Sequence, residues 1–148
     1  MSETGRTLAY VGEFVHQLDA RNRVTVPSSW RVAGDDGNFY LGWPHPEGCI
    51  AVYPPHMQEE LMEKARQIRH SDVRGQVMLR RLFGRAHKFG CDRQGRILIP
   101  DPLRTHAGIA KQVSLVGLGH YFQIWDAARR AVEEEDFNLL EAMAELGI

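Results

Sequence analysis

The chain is poor in cysteine, with only Cys49 and Cys91 among 148 residues, and these two form no CxxC pair. That spacing does not match the paired ligand motifs of zinc sites, and it is typical of free, buried thiols in a reducing compartment. Apolar runs are also short, because none approaches the roughly 18 residues of a membrane-spanning helix, and no apolar signal core follows the N-terminus. We therefore expect a cytoplasmic protein that has no metal site and no membrane span.

Catalytic signatures are missing as well. Seven histidines are scattered along the chain without an HExxH motif, and neither a nucleophile elbow nor a Gly-rich phosphate loop is present. A small cytoplasmic enzyme is therefore a disfavoured alternative. We expect no catalytic residue, no cofactor and no small-molecule ligand.

The net charge of −1 does not suggest a strongly basic nucleic-acid-binding domain, but the charges are unevenly distributed. The segment from Lys64 to Arg96 holds ten Lys or Arg against two Asp, whereas the segment from Asp126 to the C-terminus holds seven acidic residues against two Arg. A locally basic surface attracts phosphate even on a neutral protein. On charge alone, a solvated helical face is the preferred explanation of this pattern.

An internal repeat organises the sequence. The segment Asp19–Pro27 is repeated as Asp92–Pro100, and the constant offset of 73 residues extends to Arg31 and Arg104. Each copy continues through a second apolar run into a helical pattern. The boundaries we expect are a β-rich module over 10–56, a helical connector over 57–85, a second β-rich module over 86–127 and a C-terminal helix over 128–148. Because a module of about 50 residues buries little surface alone, the two should share one core.

Each copy of the repeat contains the pattern Asp-x-x-x-Arg between two apolar runs. Asn22 and Gly95 occupy the same place in the two copies, and these residue types tolerate a left-handed backbone best. Asp19 and Asp92 can accept hydrogen bonds from the amides of the same turn. The sequence therefore predicts one tight, projecting turn, made twice.

These turns carry more basic residues than a turn requires, namely Arg21, Arg23, Arg93 and Arg96. The guanidinium fork suits phosphate oxygens and guanine edges, and a two-stranded ribbon fits the major groove of DNA. The alternative is purely structural, with Asp19 bracing Arg23 and Asp92 bracing Arg96. Both can hold at once, because an aspartate can orient an arginine that binds.

In order along the chain, the sequence resembles the MraZ family of bacterial transcriptional regulators. The resemblance rests on segments 12–23, 26–27, 81–86, 92–100, 115–117 and 122–126. It implies a mainly β fold with α-helices (α+β), in which two AbrB-like swapped-hairpin modules form a pseudo-dimeric, β-barrel-like core. It also implies a nucleoid-associated ring oligomer, such as an octamer or dodecamer, that binds tandem promoter repeats of double-stranded DNA upstream of the division and cell-wall gene cluster, including its own gene.

The family's Asp-x-x-x-Arg positions fall on Asp19 and Arg23 and on Asp92 and Arg96, and its basic residue within the first loop falls on Arg21. Adding Asn22 and Arg93 from the same turns, we expect Arg21, Asn22, Arg23, Arg93 and Arg96 to bind DNA, oriented by Asp19 and Asp92. Two departures from the family pattern lie outside these turns. About nine extra residues precede the usual start, and the chain reads Pro54-Pro55-His56-Met57 where relatives commonly have a tryptophan.

Assembly follows from the small number of contacts that one turn can make. Two or three phosphate contacts give a salt slope of only about −2 to −3, and several subunits on repeated DNA would raise affinity by about 10²–10⁴. The apolar stretches Val73–Phe83 and Phe137–Leu140 are candidates for the assembly surfaces, with intramolecular core as the alternative for any one residue.

A second DNA-binding alternative is an AbrB-type antitoxin, which would hold a toxin with its acidic tail, residues 133–140. A toxin gene immediately downstream would favour that function. A methyltransferase gene and cell-wall genes downstream would favour the MraZ assignment.

Overall fold

The computed structural model describes residues 9–32, 35, 37–131 and 137–148. In chain order the elements are β1 (Glu13–Gln17), β2 (Arg23–Thr25), a 3₁₀ helix (Ser28–Trp30), β3 (Tyr40–His45), β4 (Cys49–Tyr53), α1 (Pro55–Arg66), α2 (Val73–Phe83), β5 (His87–Phe89), β6 (Arg96–Leu98), α3 (Asp101–Ala107), β7 (Gln112–Gly117), β8 (Phe122–Asp126), α4 (Ala127–Arg130) and α5 (Leu139–Glu145).

The strands form two antiparallel sheets, and each sheet draws on both copies of the repeat. The larger sheet has the order β1-β7-β8-β4-β3-β5, and the smaller sheet is β2 paired with β6. Strand β1 of the first copy lies beside β7 of the second, while β5 of the second copy lies beside β3 of the first. The α+β class is confirmed, and the larger sheet stays open between edge strands β1 and β5 rather than closing into a barrel.

In the structure, a pseudo-two-fold axis relates the two copies of the repeat, so residues that are 73 apart in sequence are equivalent. Val24 lies directly opposite Ile97, its own equivalent in the other copy, so the axis passes between these two residues. In the centre of the larger sheet, the pair Ile50–Ile124 has the pair Gln123–Ala51 as its image. One chain therefore reproduces the arrangement of a symmetric dimer.

The core lies between the larger sheet and the β2–β6 pair. Alternation along these short strands places every second side chain inside. The buried members are Val24, Val26, Ile97 and Ile99. Trp30 of the 3₁₀ helix is fully buried, packs edge-to-face on Tyr10 and Phe14, and donates its indole N–H to the Val11 carbonyl at 3.3 Å. Trp30 and its offset equivalent Leu103 are thus both members of the shared core.

Helices α1 and α2 lie at the edge of this core, whereas α3 contributes the buried Leu103 and Ala107 to it. Asp72 caps α2 by accepting from the Gly75 amide at 2.9 Å, and neither α1 nor α2 has a fully buried residue. The sequence predicts one C-terminal helix, but α4 ends at Arg130 and a new helix begins after Asn138, whose side chain accepts from the Glu141 amide at 3.0 Å. Within the described ranges, every helix is too short or too polar to cross a bilayer.

Both cysteines are free and buried, as the sequence predicts. Burial is the main reason that the pKa of Cys49 and of Cys91 rises to about 12. Neither thiol is therefore reactive at neutral pH, since the thiolate is the nucleophile.

The position of Ile97 on the pseudo-axis generates a test of the shared core. We expect Ile97→Ala to lower the free energy of unfolding by about 2–5 kcal/mol, because it leaves a cavity where the two copies meet. The neighbouring Leu98 is 56% exposed, so Leu98→Ala is the matched control and should change stability by less than about 0.5 kcal/mol. Urea denaturation measures both, and equal losses would contradict a core centred on this axis.

Candidate nucleic-acid interface

The two Asp-x-x-x-Arg segments, called here the first tip (19–23) and the second tip (92–96), form the same turn. In the first tip, the Asn22 amide donates to the Asp19 carbonyl and the Asp19 amide to the Arg23 carbonyl, both at 3.0 Å. The second tip repeats these bonds at 3.0 and 2.8 Å. Asn22 has φ of +61° and Gly95 has φ of +77°, so the left-handed conformation predicted at both positions is confirmed.

Each tip is organised by its own aspartate. Asp19 Oδ1 accepts from the backbone amides of Arg21 and Arg23, both at 2.9 Å. Asp92 Oδ1 accepts from the amides of Gln94 and Arg96 at the same distance. The hydrogen bond from the Arg23 amide is the main reason that the pKa of the Asp19 carboxyl lies below its ordinary value, and the Arg96 amide has the same effect on the pKa of Asp92.

The second carboxylate oxygen of each aspartate binds arginine, and the bonds cross between the copies. Arg23 Nε lies 2.8 Å from Asp19 Oδ2, and Arg96 Nε lies 3.0 Å from Asp92 Oδ2. Across the pseudo-axis, Arg23 Nη1 is 3.9 Å from Asp92 Oδ2 and Arg96 Nη1 is 3.7 Å from Asp19 Oδ2. The two tips therefore lie side by side, and four of the predicted site residues form one ionic quartet.

The main chain also joins the tips to the strands of the opposite copy. The Val26 amide donates to the Gly95 carbonyl at 2.9 Å, and the Ile99 amide donates to the Asn22 carbonyl at 3.2 Å. The left-handed residue of each tip is thus bonded to the strand that follows the other tip. Asn22, predicted as a DNA-binding residue, is half-buried and serves the turn through its backbone.

Arg21 and Arg93 differ from the arginines of the quartet. Both residues are exposed, and within the described ranges neither side chain has a hydrogen-bonded or ionic partner. They are not equivalent under the offset of 73, because Arg21 corresponds to Gln94 and Arg93 corresponds to Ala20. The quartet holds two positive and two negative charges, so the excess positive charge of the tips comes from these two free guanidinium groups.

The tips present groups that can bind anions. The exposed groups at the tips are guanidinium forks, which donate hydrogen bonds to phosphate or to the guanine edge. Over the residues that the structure describes, no three His, Cys, Asp or Glu side chains are grouped to hold a metal ion. The paired tips are therefore suited to a rigid, polyanionic partner.

Comparison with known proteins identifies the family. The family model described as "MraZ protein, putative antitoxin-like" matches residues 82–143. A protein of Pediococcus pentosaceus named transcriptional regulator MraZ is 35% identical over 131 residues, which is 87% of this chain and 90% of the relative. A protein of Clostridium acetobutylicum with the same name is 33% identical over 143 residues, which is 94% of this chain and 99% of the relative. This chain belongs to the MraZ family.

Arg31 lies against the second tip, a position that neither the Asp-x-x-x-Arg motifs nor the resemblance to MraZ indicates. A Cβ atom added at Gly95 would collide with the Arg31 guanidinium, which shows that this group lies directly over the second tip. Its offset equivalent, Arg104, instead pairs with Asp101 at 2.9 Å. The constant offset through Arg31 and Arg104 is the sequence signal that could have marked this position.

The crowding at Gly95 generates a stability prediction. We expect Gly95→Ala to destabilise the protein by roughly 1–2 kcal/mol, because alanine disfavours positive φ and the new methyl group displaces Arg31. Asn22→Gly at the equivalent turn is the matched control and should be close to neutral, since glycine adopts this conformation freely. Thermal unfolding measures both variants, and an unaffected Gly95→Ala protein would contradict the described turn.

The hydrogen bonds to the tip aspartates predict a dependence on pH. The pKa of Asp19 and Asp92 is lower in the folded chain than the ordinary value of 3.8, so their contribution to stability is present above that value. It is lost as the pH falls through the lower folded pKa. A carboxyl-carbon NMR titration should show both groups ionising below 3.8, and titration at or above 3.8 would mean that the tip network does not form.

Proposed function

We propose that this chain regulates transcription by binding double-stranded DNA with its paired tips. The observation that carries the proposal is the crossed ionic quartet, which fixes two arginine-bearing turns side by side at the surface. The relatives named transcriptional regulator MraZ support the same function. DNA is the rigid polyanion that such an array of guanidinium groups fits.

The proposed roles divide the arginines into two kinds. Arg21 and Arg93 bind phosphates, because they are exposed and free to follow the backbone of the duplex. Arg23 and Arg96 read base edges, because their Nε atoms are already fixed by the aspartates and the fork is held in one orientation. Asp19 and Asp92 act as orienting residues.

The two base-reading arginines are not held equally. Both arginines donate from Nε to the aspartate of their own tip, and Arg96 adds an ionic contact of 3.0 Å from Nη2 to Asp92 Oδ2. The crossed contacts of 3.7 and 3.9 Å are too long for hydrogen bonds, so the Nη1 atoms keep donor capacity. Both arginines therefore keep N–H groups on their terminal nitrogens that can donate to a base, and the Nη2 contact draws Arg96 further towards its aspartate.

The finer features of the proposal follow from the resemblance stated above. The DNA target is a set of tandem repeats in the promoter of the division and cell-wall gene cluster, which contains the protein's own gene. The working form is a ring oligomer, associated with the nucleoid in the cytoplasm. Assembly supplies affinity that the few contacts of one chain cannot supply.

An antitoxin is the second candidate, because the matching family model is itself described as antitoxin-like. Of the acidic tail invoked for it, residues 133–136 lie outside the described residues, while Phe137, Leu139 and Leu140 are exposed. Co-expression with the product of the gene immediately downstream separates the two. A stable complex that neutralises a toxic product would favour the antitoxin.

The test of the site is a gel shift on DNA from upstream of the protein's own gene, at two salt concentrations. We expect Arg23→Ala/Arg96→Ala to abolish specific binding. We expect Arg21→Ala/Arg93→Ala to weaken binding on all sequences and to reduce the salt slope by about 2, because two phosphate contacts are lost. Lys64→Ala, which removes an exposed cation on α1, is the control and should bind normally, because α1 packs on β3 and β4.

Folding has to be separated from binding in this test, because Arg23→Ala/Arg96→Ala leaves two aspartates unpaired. Arg23→Lys/Arg96→Lys keeps both charges but removes the planar fork, so it should keep nonspecific binding and lose sequence preference. Circular dichroism and light scattering establish fold and assembly for each variant. Unchanged affinity of a folded Arg23→Ala/Arg96→Ala protein would overturn the site assignment.

A further inference from the structure

The C-terminal helix α5 has several exposed apolar side chains and no substantial packing partner among the described residues. It has seven residues, none is buried, and it makes no substantial packing contact with another element of the described chain. Leu140 is 78% exposed, and Phe137, Leu139 and Leu146 are also exposed. A helix this short is unstable alone in water, so we expect its apolar side chains to pack against another surface.

Helix α2 presents an exposed face of the opposite charge. Between Val73 and Lys88 the chain has five basic residues and no acidic residue. Arg74, Met78 and Arg81 follow one another at helical spacing and are exposed, and Val73 beside them is 75% exposed. We call Val73, Arg74, Met78 and Arg81 the connector face. It combines apolar side chains with guanidinium groups.

The side chains of α5 complement the connector face. Leu140 and Ala144 follow each other at helical spacing, and Glu141 and Glu145 run beside them on the same exposed side of the helix. Arginines could thus meet glutamates while the apolar side chains meet each other. The segments around the two helices are also opposite in charge, because the chain is basic from Lys64 to Arg96 and acidic from Asp126 onward.

The two surfaces belong to opposite halves of the larger sheet. Helix α2 packs on β3, next to the edge strand β5. Helix α4, which precedes α5, packs on β7 and β8, and Arg130 Nη2 donates to Glu13 Oε1 of the other edge strand at 3.3 Å. The basic α2 thus lies near one edge strand and α4, the helix before the acidic α5 in sequence, lies near the other, which favours contact between copies in head-to-tail order.

We propose that the connector face of one chain binds helix α5 of a second copy. The contact is heterologous, so repetition closes a ring or extends an array, and the paired tips recur at a fixed spacing along it. The inference rests on the oligomer proposed above and assigns its two contacting surfaces. Because the contact combines ion pairs with apolar burial, high salt weakens it without abolishing it.

Cross-linking between differently tagged copies tests the contact. One copy carries Met78→Cys and the other carries Leu140→Cys, and a short bismaleimide is added to the full-length proteins without DNA. The native cysteines are buried and have a raised pKa, so the wild-type protein should give little background. We expect a covalent pair joining the two tags in the mixture, and no cross-linked pair from either variant alone.

The alternative outcomes of cross-linking overturn the proposal. If a chain that carries both substitutions cross-links internally and the mixture gives no pair, α5 folds onto its own chain. If neither sample cross-links, the two surfaces do not meet. In both cases the gel-shift result stands independently, because the cross-linking experiment contains no DNA, so failure of this contact is distinguishable from failure of DNA binding.

Charge exchange is the second test and does not depend on cross-linking chemistry. We expect Arg74→Glu/Arg81→Glu and Glu141→Arg/Glu145→Arg each to weaken self-association at least about tenfold by light scattering, because two ion pairs become repulsive. Combining the four substitutions in one chain should restore assembly. Lys111→Glu, an exposed charge reversal away from both surfaces, is the control. Weakening without restoration in the combined variant would overturn the proposed pairing, as would unchanged assembly of the two double variants.

Discussion

The exchange of strands across the pseudo-two-fold axis is the constraint on which the rest of this structure depends. A copy of the repeat is too small to bury its own apolar strands, so β2 pairs with β6 and Val24 packs opposite Ile97. This pairing also fixes the segments just before the two strands, which are the tips. The demand for a shared core therefore brings together arginines that are separated by 73 residues in sequence.

The aspartates make that proximity electrostatically possible. Two guanidinium groups held close together repel each other, and the crossed contacts to Asp19 and Asp92 offset the repulsion within the quartet. The structural and functional explanations of the Asp-x-x-x-Arg motif are thus parts of one arrangement. Bracing fixes Arg23 and Arg96 in orientation, and the free Arg21 and Arg93 supply the excess charge that the proposed contact with phosphate requires.

Much of this architecture could be predicted from local sequence, because a repeat, a turn and a helix cap each depend on neighbouring residues. Asn22 and Gly95 predict their left-handed turns for this reason. The crossed pairing of Arg23 with Asp92, the position of Arg31 over Gly95 and the open form of the sheet depend on long-range strand pairing, which local patterns do not specify. A separate helix begins at Leu139 because Asn138 caps it. The apolar periodicity predicts one continuous helix and gives no indication of this cap.

The central claim is that both tips meet DNA together, and photo-cross-linking tests it most directly. A photoreactive amino acid replaces Ala20 in one variant and Gln94 in another, since both positions are exposed and neither side chain belongs to the quartet. The account predicts that both variants cross-link to promoter DNA, whereas a variant labelled at Gln67 on the helical connector does not. Cross-linking from Gln67 with none from either tip would contradict the account.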